Sequence, residues 1–124
     1  MSDFSSLVDL ERCTVSPRVF TDQDVYDAEL TNIFTRTWNM VGHESQIPEP
    51  NDYLTTFIGA DPVLLTRDAN GKLRTFLNSC RHRGMRVCRR DHGNTKLFSC
   101  PYHGWSYDTS GKLRGVPQLD NAYH

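Results

Sequence analysis

Apolar residues follow two regimes along this chain. Between Thr21 and Trp38 they fall at Val25, Tyr26, Leu30, Ile33, Phe34 and Trp38, an approximate helical stripe. Thr21-Asp22 stands before it as an N-cap and Asp24 falls in the first turn, so the pattern predicts a helix over about 22–36 with its apolar face in a core. Residues 1–20 show little periodicity, and Val15-Ser-Pro17 breaks any helix there, so an extended arm is expected. From Trp38 onward the period shortens. β-prone runs occur at 38–42, 53–58, 62–67, 72–77, 96–99 and 105–107, with polar or Gly/Pro breaks between them. Two breaks are alike, Asp68-Ala-Asn-Gly71-Lys-Leu-Arg74 and Asp108-Thr-Ser-Gly111-Lys-Leu-Arg114, and each reads as a β-hairpin. Two short copies point to convergent turn chemistry rather than a repeat architecture. The expectation is a mainly β chain: a short N-terminal helix, then a compact antiparallel domain. The segment from Gly115 to His124 carries no stop signal, as though further chain should follow.

The 124 residues amount to one domain with a modest core. A net charge of −1 gives no global field toward nucleic acid or a membrane surface. No apolar run approaches membrane-spanning length, and Met1-Ser-Asp-Phe-Ser-Ser lacks the basic and apolar regions of a signal peptide. A cytoplasmic location is therefore expected, and the cysteines read as thiols or ligands rather than a disulfide framework. Cys13 and Cys88 have no histidine at ligand spacing and are read as structural thiols.

The other two cysteines change the picture. Cys80-Arg-His82 and Cys100-Pro-Tyr-His103 are short Cys/His pairs with seventeen residues between them, each followed closely by a glycine, Gly84 or Gly104. Two thiolates and two imidazoles are the ligand set of a Rieske [2Fe–2S] cluster, in which two histidines replace two cysteines on one iron. A single zinc ion takes the same four donors tetrahedrally, although zinc fingers usually pair Cys with Cys and His with His. Two facing loops that each supply one thiolate and one imidazole suit two irons, but the zinc-stabilised interaction module stays open on spacing alone. Arg81, Arg83, Arg86, Arg89 and Arg90 crowd the first pair. Such a run reads as solvated surface or as a rim for an acidic protein partner, and only remotely as a nucleic-acid patch. His43, His92 and His124 stand outside any ligand pair, and His43 is read as a hydrogen-bonded structural residue.

The stretch from Cys80 to Arg90 and the run from Cys100 to Tyr107 resemble the large (α) subunit of bacterial aromatic-ring-hydroxylating dioxygenases. So do Trp38 to Pro48, Asn51 to Leu54 and Phe76 to Cys80. The resemblance spans roughly 17–117, with His43 to Pro48 most like the phenylpropionate and biphenyl branch. It implies a Rieske fold of small antiparallel sheets over 38–124, after an N-terminal arm and helix over 1–37. Cys80 and Cys100 would hold an inner iron, and His82 and His103 an outer iron near the surface. With two ferric ions, two sulfides and two thiolates the cluster is formally neutral. Reduction leaves it at −1 and should be coupled to imidazole protonation.

The resemblance also sets expectations against respiratory Rieske proteins. Their loop disulfide would fall at Met85 and Tyr102, so that bridge is absent here. Trp105 stands where they carry a serine hydroxyl near the cluster, which predicts a potential toward the lower end of the Rieske range. Tyr107 is the candidate for a remaining hydroxyl contact.

The family's catalytic domain, with a 2-His-1-carboxylate mononuclear Fe(II) site, is not within these residues. The chain alone is therefore expected to relay electrons and to hydroxylate no ring. In the longer parent they would pass from a ferredoxin or reductase, through the cluster, to cis-dihydroxylation of an aromatic ring in aromatic hydrocarbon catabolism. That parent would be an oligomer of α, often with β, subunits. A free-standing Rieske ferredoxin is the alternative, disfavoured by the helix over 22–36.

Overall fold

The computed structural model describes residues 4–122. The chain divides into two compact units, Met1–Asn39 and Met40–His124. In the first, Val8–Asp9 (β1) and Thr14–Val15 (β2) pair antiparallel. The Asp9 carboxylate accepts from the N–H groups of Glu11 and Arg12 and closes the turn between them. The arm expected over 1–20 is thus folded back on itself, and a 3-10 turn, Pro17–Phe20, follows.

The predicted helix forms as α1 (Gln23–Glu29), with Asp22 as N-cap accepting from the Asp24 N–H. Arg18 pairs with the Asp22 carboxyl and holds it below the ordinary carboxylate range. From Leu30 to Phe34 the helix widens into a π-type turn. Thr31, Asn32, Thr35 and Thr37 each donate to the carbonyl four residues back, the competition that loosens a helical ladder.

Two expectations need correction here. Of the apolar stripe, Val25 is buried and Leu30 and Phe34 are half-buried, but Tyr26, Ile33 and Trp38 are exposed. A unit this small buries too little surface to cover a whole stripe. The strand expected over 38–42 does not form. The Asn39 amide instead donates to the carbonyls of Phe34 and Thr37, so the chain caps the helix end rather than entering a ladder.

The second unit is antiparallel β. Asp52–Ile58 (β3), Asp61–Arg67 (β4), Leu73–Leu77 (β5) and His92–Asn94 (β6) form one sheet in the order β5-β4-β3-β6. Leu97–Ser99 (β7), Ser106–Asp108 (β8) and Leu113–Gly115 (β9) form a second in the order β7-β8-β9, and a short helix α2 (Leu119–Ala122) follows. β4 is buried on both faces from Val63 to Thr66, as a central strand with consecutive apolar residues must be. Tyr53, Leu64, Cys88 and Phe98 make the core. Tyr53 of β3 meets Phe98 of β7 edge to face, with ring centroids 5.2 Å apart, so the two sheets share that core.

The two look-alike breaks fold identically. Asp68 accepts from the N–H groups of Asn70 and Lys72 and from Arg74 Nε, while its own N–H reaches the Lys72 carbonyl. Asp108 accepts from Ser110, Lys112 and Arg114 in the same manner, with its N–H on the Lys112 carbonyl. A short, ionised side chain that gathers two turn amides and one guanidinium is sufficient to specify each hairpin.

Candidate metal centre

Both Cys/His pairs sit on the same kind of turn. The first follows β5 and the second joins β7 to β8. In the first, the Cys80 N–H donates to the Met85 carbonyl and the Gly84 N–H to the Cys80 carbonyl, both at 2.8 Å. In the second, the Cys100 N–H donates to the Trp105 carbonyl at 2.8 Å and the Gly104 N–H to the Cys100 carbonyl at 3.0 Å. The fifth residue of each turn is a glycine in the left-handed region, Gly84 at φ 70° and Gly104 at φ 74°, where a side chain would be strained. The histidine is the third residue of one turn and the fourth of the other, so one backbone design presents the two imidazoles differently.

The turns bring the four side chains together by type. Cys80 and Cys100 are buried, each 4% exposed, and lie side by side. His82 and His103 lie outward of them, half-buried and exposed, with ring centroids 4.6 Å apart. Among the described residues, no three His, Cys, Asp or Glu side chains converge on one point that a single ion could hold. A lone zinc ion needs four donor atoms within about 2.3 Å of itself, whereas a binuclear cluster needs two donor pairs at two centres. A pair of cysteines beside a pair of histidines fits the second demand.

Electrostatics favour the ligating forms. Burial pushes the Cys80 thiol up, but the Tyr107 hydroxyl, the N–H groups of His82 and Arg83 and the Cys100 thiol outweigh it and bring it below the ordinary thiol value. Burial, then the His103 and Arg83 charges, lowers His82 and keeps its imidazole neutral, as a ligand must be. Tyr107 Oη lies 3.3 Å from Cys80 Sγ and accepts from the Arg81 N–H at 3.1 Å. Burial and that sulfur contact push its phenol up to about 12, so it keeps its proton. The hydroxyl contact expected of Tyr107 is therefore present.

Asn78 carries no signal in its own sequence context. It is 2% exposed, accepts from the N–H groups of Val87 and Cys88, and donates to the Cys88 carbonyl at 2.7 Å. This places it as the internal strut of the first loop. Cys88 is buried and Cys13 exposed, both free. His43 caps the 3-10 turn Glu44–Gln46, its Nδ1 2.9 Å from the Ser45 hydroxyl, which is a structural role. His92 lies exposed on β6, and His124 is outside the described residues. The five arginines between 81 and 90 are exposed, and among the described residues none makes an ion pair with a carboxylate. Arg86 lies over the Phe57 ring at 5.2 Å.

The Rieske [2Fe-2S] domain family matches residues 37–123. The chain is 50% identical over 122 residues to the biphenyl 2,3-dioxygenase subunit alpha of Rhodococcus jostii (strain RHA1), a match covering 98% of this chain and 26% of that protein. It is 50% identical over 116 residues to the benzene 1,2-dioxygenase subunit alpha of Pseudomonas putida, covering 94% of this chain and 26% of that one. The crystal structure of naphthalene 1,2-dioxygenase from Rhodococcus sp. bound to indole superposes with a TM-score of 0.83 at 47% identity, over 89% of this chain and 25% of that one. The chain thus spans about a quarter of the length of the relatives it matches.

Proposed function

The chain belongs to the Rieske [2Fe-2S] domain family, and from that premise we propose that it is the electron-relay portion of an aromatic-ring-hydroxylating dioxygenase α subunit. Cys80 and Cys100 ligate the inner iron, and His82 and His103 the outer one. The cluster supplies one-electron transfer. The observation that carries the reading is the sorting of the four side chains by type, buried thiols together and outward imidazoles together. An electron arriving from outside meets the histidine side first. The exposed arginines beside it, which have no carboxylate partner among the described residues, form a positive rim suited to an acidic ferredoxin or reductase.

In the longer protein to which such a portion would belong, a mononuclear Fe(II) would receive the electrons and supply the chemistry by which both atoms of O2 enter an aromatic ring to give a cis-dihydrodiol. Biphenyl-type and benzene-type rings are the substrate class suggested by the relatives at half identity. That protein assembles from α and β subunits and works in the cytoplasm. Among the described residues no helix is long and apolar enough to cross a membrane. In such a protein the ring-oxidising unit would be separate from residues 38–124, whose own part would be electron relay.

The test is EPR of the anaerobically dithionite-reduced protein, with iron, zinc and acid-labile sulfide measured on the same sample. Two irons and two sulfides per chain with a low average g support the reading, and Cys100→Ser should abolish both. One zinc without sulfide overturns it. Raising ionic strength should slow reduction by an acidic ferredoxin, and Arg83→Ser/Arg86→Ser should flatten that dependence.

A further inference from the structure

The two ligand loops are not joined covalently, since all four cysteines are free and Met85 and Tyr102 are not bridging residues. Their tips nonetheless meet through aromatic rings. Trp105, from the second loop, lies parallel to His82 of the first, with an interplanar angle of 7° and centroids 4.9 Å apart. His82 in turn meets the edge of His103, and Tyr102 lies against His103 with centroids 3.8 Å apart. The four rings form a run from Trp105 through His82 and His103 to Tyr102.

We propose that Trp105 is a positioning residue that braces the loops and sets the plane of the His82 imidazole. The inference rests on the ligand set proposed above. A histidine ring turns about χ2 in a broad two-fold well, so a half-buried imidazole with no partner on its face has no fixed plane. An indole stacked flat on one face removes that freedom before any metal arrives. The brace crosses from loop to loop: the Trp105 carbonyl closes its own turn on the Cys100 N–H, while its side chain reaches the other turn. Ring position and loop spacing are therefore fixed by the same residue. A small side chain at 105 would leave the backbone turn intact and take away the ring stacked on this face of His82.

Three proteins test this: Trp105→Ala, Trp105→Phe, which keeps a stacking ring, and Trp38→Phe, which leaves Trp105 as the sole tryptophan. In Trp105→Ala the reduced EPR signal should shift and broaden, and the cluster should be lost to a chelator about two- to tenfold faster, the range that one aromatic pair supports. Trp105→Phe should restore both toward the parent. Unchanged g values and loss rate in Trp105→Ala overturn the proposal. So does equal damage in Ala and Phe, which would mean that a ring stacked on His82 is not what position 105 contributes.

A metal-free arm separates this failure from failure of the ligand set. In the Trp38→Phe background, His82→Ala should shift Trp105 emission to longer wavelength as its stacked face meets water. An unchanged spectrum refutes the brace whether or not the protein binds iron. A shifted spectrum, where the Trp38→Phe protein with His82 intact holds no iron or sulfide, leaves the stack standing and removes the ligand set.

Discussion

Replacing Tyr107 with phenylalanine removes one oxygen that contacts both a backbone N–H and a cysteine sulfur of the first loop. The hydroxyl accepts from the Arg81 N–H at 3.1 Å and lies 3.3 Å from Cys80 Sγ. On the proposed ligation Cys80 is a thiolate with no proton, and a phenol pushed up to about 12 is protonated at neutral pH. The hydroxyl therefore donates to the sulfur. One-electron reduction makes the cluster more negative, so this donor stabilises the reduced state more than the oxidised one, and its loss lowers the potential. A hydrogen bond to a charged group is worth up to about 3 kcal/mol. Assigning half of that to the difference between oxidation states gives about 1.4 kcal/mol, a factor of ten, or about 59 mV for one electron. The assay is a dye-mediated redox titration followed by EPR at pH 7, with iron content checked to be equal in both proteins. A potential that stays in place or rises in the fully loaded variant refutes the donor assignment.

Asn78→Ala leaves the Val87 and Cys88 N–H groups and the Cys88 carbonyl without their buried partner. It should cost about 2–4 kcal/mol, read as a lower denaturant midpoint together with reduced cluster content. At Asp108, burial raises the carboxyl. Ser110, Arg114 and the Lys112 N–H outweigh that and bring it down to about 2, below its ordinary 3.8. A depressed folded value contributes stability that is fully present above the unfolded value and is lost as pH falls through the folded one. Asp108→Asn should therefore be less stable than the parent at pH 7, and thermal melts of the two should approach each other between about pH 4 and pH 2. A gap that persists at pH 2 would show that the Asp108 charge is not what holds the turn.

The site was more legible than the scaffold around it. Cys80, His82, Cys100 and His103 stand out as candidates because metal chemistry restricts residue type and spacing, and few other uses place a thiolate and an imidazole two or three residues apart. Asn78 and the Trp105 stack had no such signature. Many polar side chains can form buried hydrogen bonds and every aromatic one can stack on a ring, and which of them does depends on where the chain returns.

By itself the sequence determined what local physics decides: the Asp22 cap, the β-prone runs at 53–58, 62–67, 72–77, 96–99 and 105–107, and the two Asp-x-x-Gly hairpins, whereas the strand His92–Asn94 carried no such signal and forms by pairing with the distant Asp52–Leu54. In the cap and the hairpins, a few neighbouring residues make the bonds that define the conformation. Tertiary structure decided the rest. It ended the helix through Asn39, left Tyr26, Ile33 and Trp38 exposed, and sorted mixed Cys/His pairs into thiols with thiols and imidazoles with imidazoles. That sorting needs two loops about twenty residues apart to face each other. The shared Tyr53–Phe98 core of the two sheets brings the loops face to face, and contacts between the loops themselves, Tyr107 on Cys80 and Trp105 on His82, complete the arrangement.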